Sequence, residues 1–456
     1  MNNQRSGRSE LRGSPQGLVP RSVAPAVRPR LLSTPELMRP QVVPLLDGIR
    51  VLDLSRVLAG PLCTQYLGDL GADVIKVEAP DGGDETRAWP VLLETSEGHR
   101  TSAGFLSVNR NKRGVAIDMK TPAGRDLVRM LARRADVVVE SFGPGVAARL
   151  GIDAPTLRAA DPRLVYCSIS GYGSVGPLRN GKGYDLILQA FSGMLSITGD
   201  PGSPPTRSPF SPVDQGTGLH ALIGILAALH RRERSGAGCT VEASLFDTAA
   251  GFLGNFLQIY WETRAEPQKA GVGHSSLCPY GIFKTADKPI IIGVANDTLW
   301  QRFCTVAELD ELPDPARFAT TAQRVAERTV VEPLVQNELL KHERAYWFTK
   351  LDDAGIPCSP VHTLGEFAAH PHTAASGMLL DYPDPHFGVL RGVAQPLRFD
   401  GERMAQRHNP PLLGEHTIEV LREAGLDDAE IASLLERKIV QAYGPEPPSG
   451  PAGAQR

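Results

Sequence analysis

The chain has 456 residues, 41% of them hydrophobic and 22% charged, with a formal net charge of −3 at pH 7. That length is too great for one ordinary core and suggests two or three domains of about 150 residues each. The near-balanced charge gives no reason to expect nucleic acid or a membrane surface as partner, which leaves a small molecule. Six cysteines, Cys63, Cys167, Cys239, Cys278, Cys304 and Cys358, lie far apart with no C-x-x-C pair. Neither a zinc site nor a disulfide framework is expected from them, no metal is assigned, and a reducing, cytoplasmic location fits. The longest apolar stretch, Ala221 to Leu229, is about half the roughly 20 residues a bilayer requires and reads as a buried helix.

Residues 1–40 carry seven arginines, two glutamates and no lysine among many Ser, Pro and Gly, a composition expected to be disordered. An Arg-rich, acid-poor leader can be an organellar transit peptide, which would make the location mitochondrial, but no convincing amphipathic helix is present. Met38 stands just before the first strand pattern, and Leu18-Val19-Pro20-Arg21-Ser22 resembles part of a protease-cleavable linker. The leader is therefore equally readable as foreign to the folded protein.

Beyond the leader, short β-branched runs alternate with longer helical patterns, which predicts parallel sheets with crossover helices. Gly48 to Leu54 is the first strand, Ser55 to Gly60 a loop, Pro61 the opening of a helix, and Asp73 to Glu78 the next strand. In such a topology ligands sit beyond the carboxyl ends of strands, so Arg56, Val57, Leu58, Ala59 and Gly60 should border a crevice, unless this is an ordinary strand-to-helix turn. No G-x-G-x-x-G fingerprint occurs there, which disfavours a dinucleotide. Asn109-Arg110-Asn111-Lys112-Arg113-Gly114 precedes a strand from Val115 to Asp118. Its cations and amides suit a phosphate group, with a solvated charged turn as the alternative. Further strands are predicted at 137–140, leading into Ser141-Phe142-Gly143-Pro144-Gly145, and at 164–169.

After that last strand come Gly171-Tyr172-Gly173-Ser174-Val175-Gly176-Pro177, a short basic loop, and Gly183-Tyr184-Asp185 ahead of the apolar run 186–191. These turn residues deliver one carboxylate to the start of a helix, where the positive helix end favours negative charge. Asp185 is thus either a cap alone or a nucleophile, on the same sheet edge as the two presumed binding loops. The pattern breaks into charge and glycine at 231–238, a plausible linker. A strand pair at 281–284 and 289–293 then opens a second unit, and 444–456 is a Pro/Gly-rich tail.

The chain resembles the class III CoA-transferases, the family that includes formyl-CoA transferase, carnitine CoA-transferases and the related α-methylacyl-CoA racemases. The resemblance runs from about residue 44 to about 440. It rests on Asp53 to Pro61, Gly71 to Glu78, Asn109 to Arg113, Gly171-Tyr172-Gly173 with Gly176-Pro177, and Gly183-Tyr184-Asp185. Pro279 to Phe283, Gly355-Ile356-Pro357 with Pro360-Val361, and Pro411 to Thr417 complete it. It implies an α/β fold with a Rossmann-like large domain built from both chain ends (41–235 and 386–443), a smaller inserted α/β domain (236–385), and an interlocked homodimer. It implies Asp185 as nucleophile, and Arg56, Val57, Leu58, Ala59, Asn109, Arg110, Lys112 and Arg113 as CoA-binding residues. No cofactor is held permanently; CoA thioesters are substrates.

Covalent catalysis by Asp185 would proceed through an aspartyl anhydride and an aspartyl-CoA thioester. Charge develops on the carbonyl oxygen, and amide donors must face it. Gly271, Gly273 and His274, in the segment Gly271 to Ser276, are the candidates for that task, with a surface turn carrying a structural histidine as the alternative. The longer segment Gly271 to Phe283, with its Gly-x-Gly-His-Ser-Ser and Pro-Tyr-x-x-Phe, resembles succinyl-CoA:dicarboxylate transferases such as the glutarate enzyme. Arg87 and Arg207 are candidates to pair with a distal carboxylate. Two other readings stand beside this one. A racemase is disfavoured because Tyr184 stands where that relative has a histidine, and no histidine occurs between His99 and His220. A non-catalytic acyl-CoA-binding protein would use Asp185 only as a cap.

Overall fold

The computed structural model describes residues 44–96, 98–309 and 315–444. The predicted disordered leader 1–40, and all of the predicted tail except Gly444, lie outside the described residues. In chain order the strands are β1 (Arg50–Leu54), β2 (Asp73–Glu78), β3 (Leu92–Glu94), β4 (Arg100–Ser102), β5 (Lys112–Ile117), β6 (Val137–Glu140) and β7 (Val165–Ser170). They continue as β8 (Thr240–Ser244), β9 (Tyr280–Phe283), β10 (Ile290–Gly293), β11 (Cys358–Pro360), β12 (Leu379–Asp384), β13 (Gly388–Val393) and β14 (Val440–Gln441).

Seven of them form one sheet in the order β14-β5-β2-β1-β6-β7-β8. Six pair in parallel; β14 joins antiparallel at the β5 edge. The run Val137-Val138-Val139 explains the central position of β6: all four of its residues are buried, as a parallel strand covered on both faces requires. One face of the sheet packs under the helices Ala59–Asp69 and Pro212–Ser235, through Cys63, Leu67, Ala221 and Ile225. The other face packs under Pro122–Ala132 and the C-terminal helices Thr417–Glu423 and Asp428–Glu436, through Leu127, Leu131, Val420 and Leu434. The end of the chain thus completes the sheet that its beginning starts.

A third core gathers Phe283, Ile290, Ile292, Trp300, Phe303, Val331, Trp347 and Leu351 around the antiparallel sheet β11-β10-β9. Regular elements run up to or across both expected boundaries of an inserted unit. The break at 231–238 is the end of the Pro212–Ser235 helix and the turn into β8, the far edge of the main sheet. The 385/386 boundary cuts a hairpin, since β12 pairs with β13 on either side of it. The helix predicted to open at Pro61 begins at Ala59. The stretch Ala221 to Leu229 is helical but only partly buried, with Ile223 62% exposed.

Candidate active site

The strand order reverses direction between β1 and β6: the chain builds outward through β2 and β5 on one side, then through β7 and β8 on the other. Loops leaving the carboxyl ends at such a switch point diverge and leave a crevice. A crevice of about 310 Å³ occurs there, lined by Arg56 to Gly60 after β1, Ser141 to Pro144 after β6, and Ile169 to Gly171 at the end of β7. Its remaining wall includes Arg179, Lys182, Gly183, Tyr184 and Asp214. The predicted binding loop Arg56, Val57, Leu58 and Ala59 is therefore where it was expected, while Arg179 and Lys182 belong to the short basic loop to which no role was given.

Two backbone approaches shape the crevice. Gly171 and Gly183 lie so close that a Cβ on Gly183 would sit 2.6 Å from the Gly171 Cα; no side chain fits at either place, and this contact ties the loop before Asp185 to the end of β7. Across the crevice Val57 has φ of 71°, an unfavourable left-handed conformation for a β-branched residue. Its N–H is held 3.3 Å from both Asp84 carboxylate oxygens, and the Arg56 N–H donates to Ser141 Oγ at 2.9 Å.

Asp185 is the first residue of the helix Asp185–Phe191 and is buried, yet its side chain does not cap that helix. It caps a different one. Oδ1 accepts the N–H groups of Val213 at 2.8 Å and Asp214 at 3.2 Å, in the first turn of the Pro212–Ser235 helix. Oδ2 accepts from the Gln189 carboxamide, whose own oxygen takes the Ser208 N–H at 3.0 Å. The carboxylate thus lies at the positive end of a 24-residue helix, where free amide hydrogens and the helix dipole both favour negative charge. Beside it Asp214 is pushed up to about 7, by burial and then by the charge of Asp185.

The segment Asn109 to Arg113 is placed differently from its prediction. Lys112 and Arg113 are the first residues of β5, not a loop, and all five side chains are buried. Lys112 Nζ donates to Asp53 Oδ2 at 3.0 Å, to the Pro61 carbonyl at 2.9 Å and to Asn109 Oδ1 at 2.8 Å. Arg110 forks onto Asp69 at 2.9 and 2.5 Å. Arg113 forks onto Asp73 at 3.0 and 2.7 Å and reaches Glu419 and Glu423. Burial alone would raise the Asp53 carboxyl, but Lys112, Lys76 and the Ser55 and Thr64 hydroxyls hold it down at about 2. None of these residues lines the crevice, and their charged side chains pair with carboxylates of the protein itself. Arg87 likewise departs from its expected role on a substrate carboxylate: it forks onto Glu78 at 2.7 Å for each bond, with its guanidinium over Phe105. Arg207 is exposed and adjoins Ser208.

The Gly271 to Ser276 turn also departs from expectation. The Gly271 N–H donates to the Gly199 carbonyl at 3.0 Å and the Gly273 N–H to the Ala270 carbonyl at 2.9 Å, so both proposed oxyanion donors are engaged. His274 Nδ1 accepts the Ser276 N–H at 3.1 Å, and Arg328 holds the His274 carbonyl at 2.7 Å. The segment is a braced turn. Among the described residues no group of acidic, His and Cys side chains is arranged to hold a metal, and no helix is long and apolar enough to cross a membrane.

A largely parallel sheet of this order, with a crevice at its switch point, defines a doubly wound α/β protein. Residues 46–417 match the profile of CoA-transferase family III, and the chain belongs to that family. It is 38% identical over 386 residues to a succinate–glutarate CoA-transferase of Agrobacterium fabrum, spanning 84% of this chain and 96% of that one. It is 34% identical to the human succinyl-CoA:glutarate CoA-transferase, over 87% of this chain and 90% of the other. Among solved structures, a CAIB/BAIF family protein from Brucella suis superimposes with a TM-score of 0.76 at 36% identity, covering 83% of this chain and 99% of that chain. The chain is a CoA-transferase, and its substrates are CoA thioesters.

Proposed function

We propose that this enzyme moves CoA from succinyl-CoA to a C4 to C6 dicarboxylic acid, with Asp185 as the covalent nucleophile. The observation that carries the reading is the buried Asp185 carboxylate, held by two amides of the Pro212–Ser235 helix and flanked by Tyr184 and Asp214, which line the crevice. The choice of acids is supported by the relatives, whose names specify succinate with glutarate or mesaconate.

An Asp185 oxygen attacks the donor thioester carbonyl, the C–S bond breaks, and CoA thiolate leaves behind a mixed anhydride. The thiolate then attacks the aspartyl carbonyl, expels the donor acid as carboxylate, and forms an aspartyl-CoA thioester. An acceptor carboxylate attacks that thioester, forming a second anhydride and freeing the thiolate. Attack of the thiolate on the acceptor acyl carbon gives the new acyl-CoA and regenerates the Asp185 carboxylate. Each bond made replaces one of similar energy, so no nucleotide is consumed.

Arg56 and Lys182 are exposed crevice residues and, with Arg179, form no carboxylate ion pair among the described residues. They are suited to the phosphates of CoA. A homodimer is supported by apolar side chains left open on neighbouring helices and loops, among them Phe191, Phe210, Ile223 and Trp261. Exposed large apolar side chains mark an interface where they gather into a patch. The crevice wall includes no histidine, which supports transfer over racemisation.

Asp185→Ala and Asp185→Asn are expected to fold and to lose at least 10³-fold in labelled-CoA exchange, since neither side chain forms the anhydride. Loss of a cap alone costs about 1 kcal/mol of stability, so near-normal exchange by a folded Asp185→Ala protein contradicts the nucleophile assignment.

A further inference from the structure

Attack on the thioester turns its carbonyl oxygen into an oxyanion that needs a hydrogen-bond donor. The Gly271 and Gly273 amides are committed to other carbonyls, and the Val213 and Asp214 amides are committed to Asp185 itself. Asp214 is the acidic residue in the first turn of the Pro212–Ser235 helix and lines the crevice. Every donor in this cluster turns toward Asp185: two amides serve Oδ1 and Gln189 serves Oδ2. Among the described residues the Asp214 carboxyl oxygens have no hydrogen-bond partner, so any proton on them is free to be donated into the crevice.

We infer that Asp214, in its protonated form, is the catalytic donor that binds the thioester carbonyl oxygen while Asp185 attacks the carbonyl carbon. This rests on Asp185 being the nucleophile. The C–O bond to Asp185 forms as the carbonyl π pair moves onto the oxygen, where the Asp214 O–H holds it. Collapse of that adduct expels CoA thiolate, and the proton stays on Asp214 throughout. A neutral carboxylic acid can act as such a donor where its surroundings keep it protonated. Burial and the adjoining Asp185 charge raise Asp214 to about 7. The charged and titratable groups on the facing walls are Arg56 on the loop after β1, Glu85, Arg179 and Lys182 before Asp185, and Tyr184. The three cations favour loss of the proton, and the two carboxylates, Asp185 and Glu85, favour its retention.

With a raised carboxyl pKa the proton is present below about pH 7 and lost above it, so kcat of the native enzyme is expected to fall as pH rises through that value. Asp214→Asn keeps an N–H donor, and is expected to retain at least a tenth of the native kcat with that alkaline decline abolished. Asp214→Ala is expected to lose 10²–10³-fold in kcat with KM for acyl-CoA little changed. Native kcat in Asp214→Ala, or an unchanged alkaline decline in Asp214→Asn, overturns the inference. Incubation with succinyl-CoA and no acceptor separates the two levels of the argument, using the mass of the peptide that contains Asp185. Absence of an adduct in the native enzyme removes the nucleophile itself. An adduct forming at the native rate in Asp214→Ala removes only the role of Asp214. An adduct at Asp185 that forms at least 100-fold more slowly in Asp214→Ala supports both.

Discussion

Two groups of cations flank the same sheet and have opposite fates. Arg110, Lys112 and Arg113 enter or adjoin β5 and are buried, each paired with a carboxylate of the protein, internal for Arg110 and Lys112 and at the surface for Arg113. Arg56 and Lys182 stand exposed on loops at the switch point, without a carboxylate partner among the described residues. In composition the first group is the better phosphate site, with three cations and two amides in five positions. Whether a cation serves the fold or a ligand is decided by which carboxylates the tertiary structure brings to it, and a linear reading does not contain that information.

The largest effect expected from breaking this contrast is at Lys112. Removing one member of a fully buried pair leaves the other charge uncompensated, at a cost of about 3–5 kcal/mol. Lys112→Ala should therefore lose stability toward that figure in denaturant unfolding, leaving Asp53 with Lys76 and the Ser55 and Thr64 hydroxyls. A loss under about 1 kcal/mol, joined to weakened CoA binding, reverses the assignment.

Arg56→Ala and Lys182→Ala are expected to behave in the opposite way. A charge-assisted contact to phosphate contributes about 1.5–3 kcal/mol, so each should raise KM for acyl-CoA on the order of tenfold and leave kcat nearly intact. Unfolding midpoints should shift by no more than about 0.5 kcal/mol equivalent, as for exposed side chains without structural partners. Unchanged KM in both variants removes these two residues from the CoA site.

The smallest expected effect is at Val57, on the same loop as Arg56. Glycine relieves the strain of a positive φ, while the unfolded chain gains freedom and some half-buried apolar surface is lost. Val57→Gly should consequently change stability by about 1 kcal/mol or less in either direction, whereas an ordinary β-branched site would lose more. Thermal unfolding at one pH measures the difference.

Much of the sheet was legible because its signals are local. The Val137 to Val139 run, the β1 and β2 patterns and the Gly-rich turn before Asp185 each announce themselves within a few residues, and the crevice loop after β1 follows from strand–helix alternation alone. The antiparallel partner β14, the hairpin across residue 385 and the braced turn at His274 were not legible, because each depends on contacts between distant segments. The proposed nucleophile lies between these cases. Sequence placed Asp185 at a helix start and, through its family motifs, named it as the nucleophile. Only the tertiary structure placed its oxygens on the amides of a second helix, 28 residues further on, and put Asp214 beside it in the crevice wall. Local propensity and periodicity are properties of neighbours in the chain. Charge pairing, burial and the supply of hydrogen-bond donors are properties of neighbours in space, and those decided which ionisable groups of this protein are free to act.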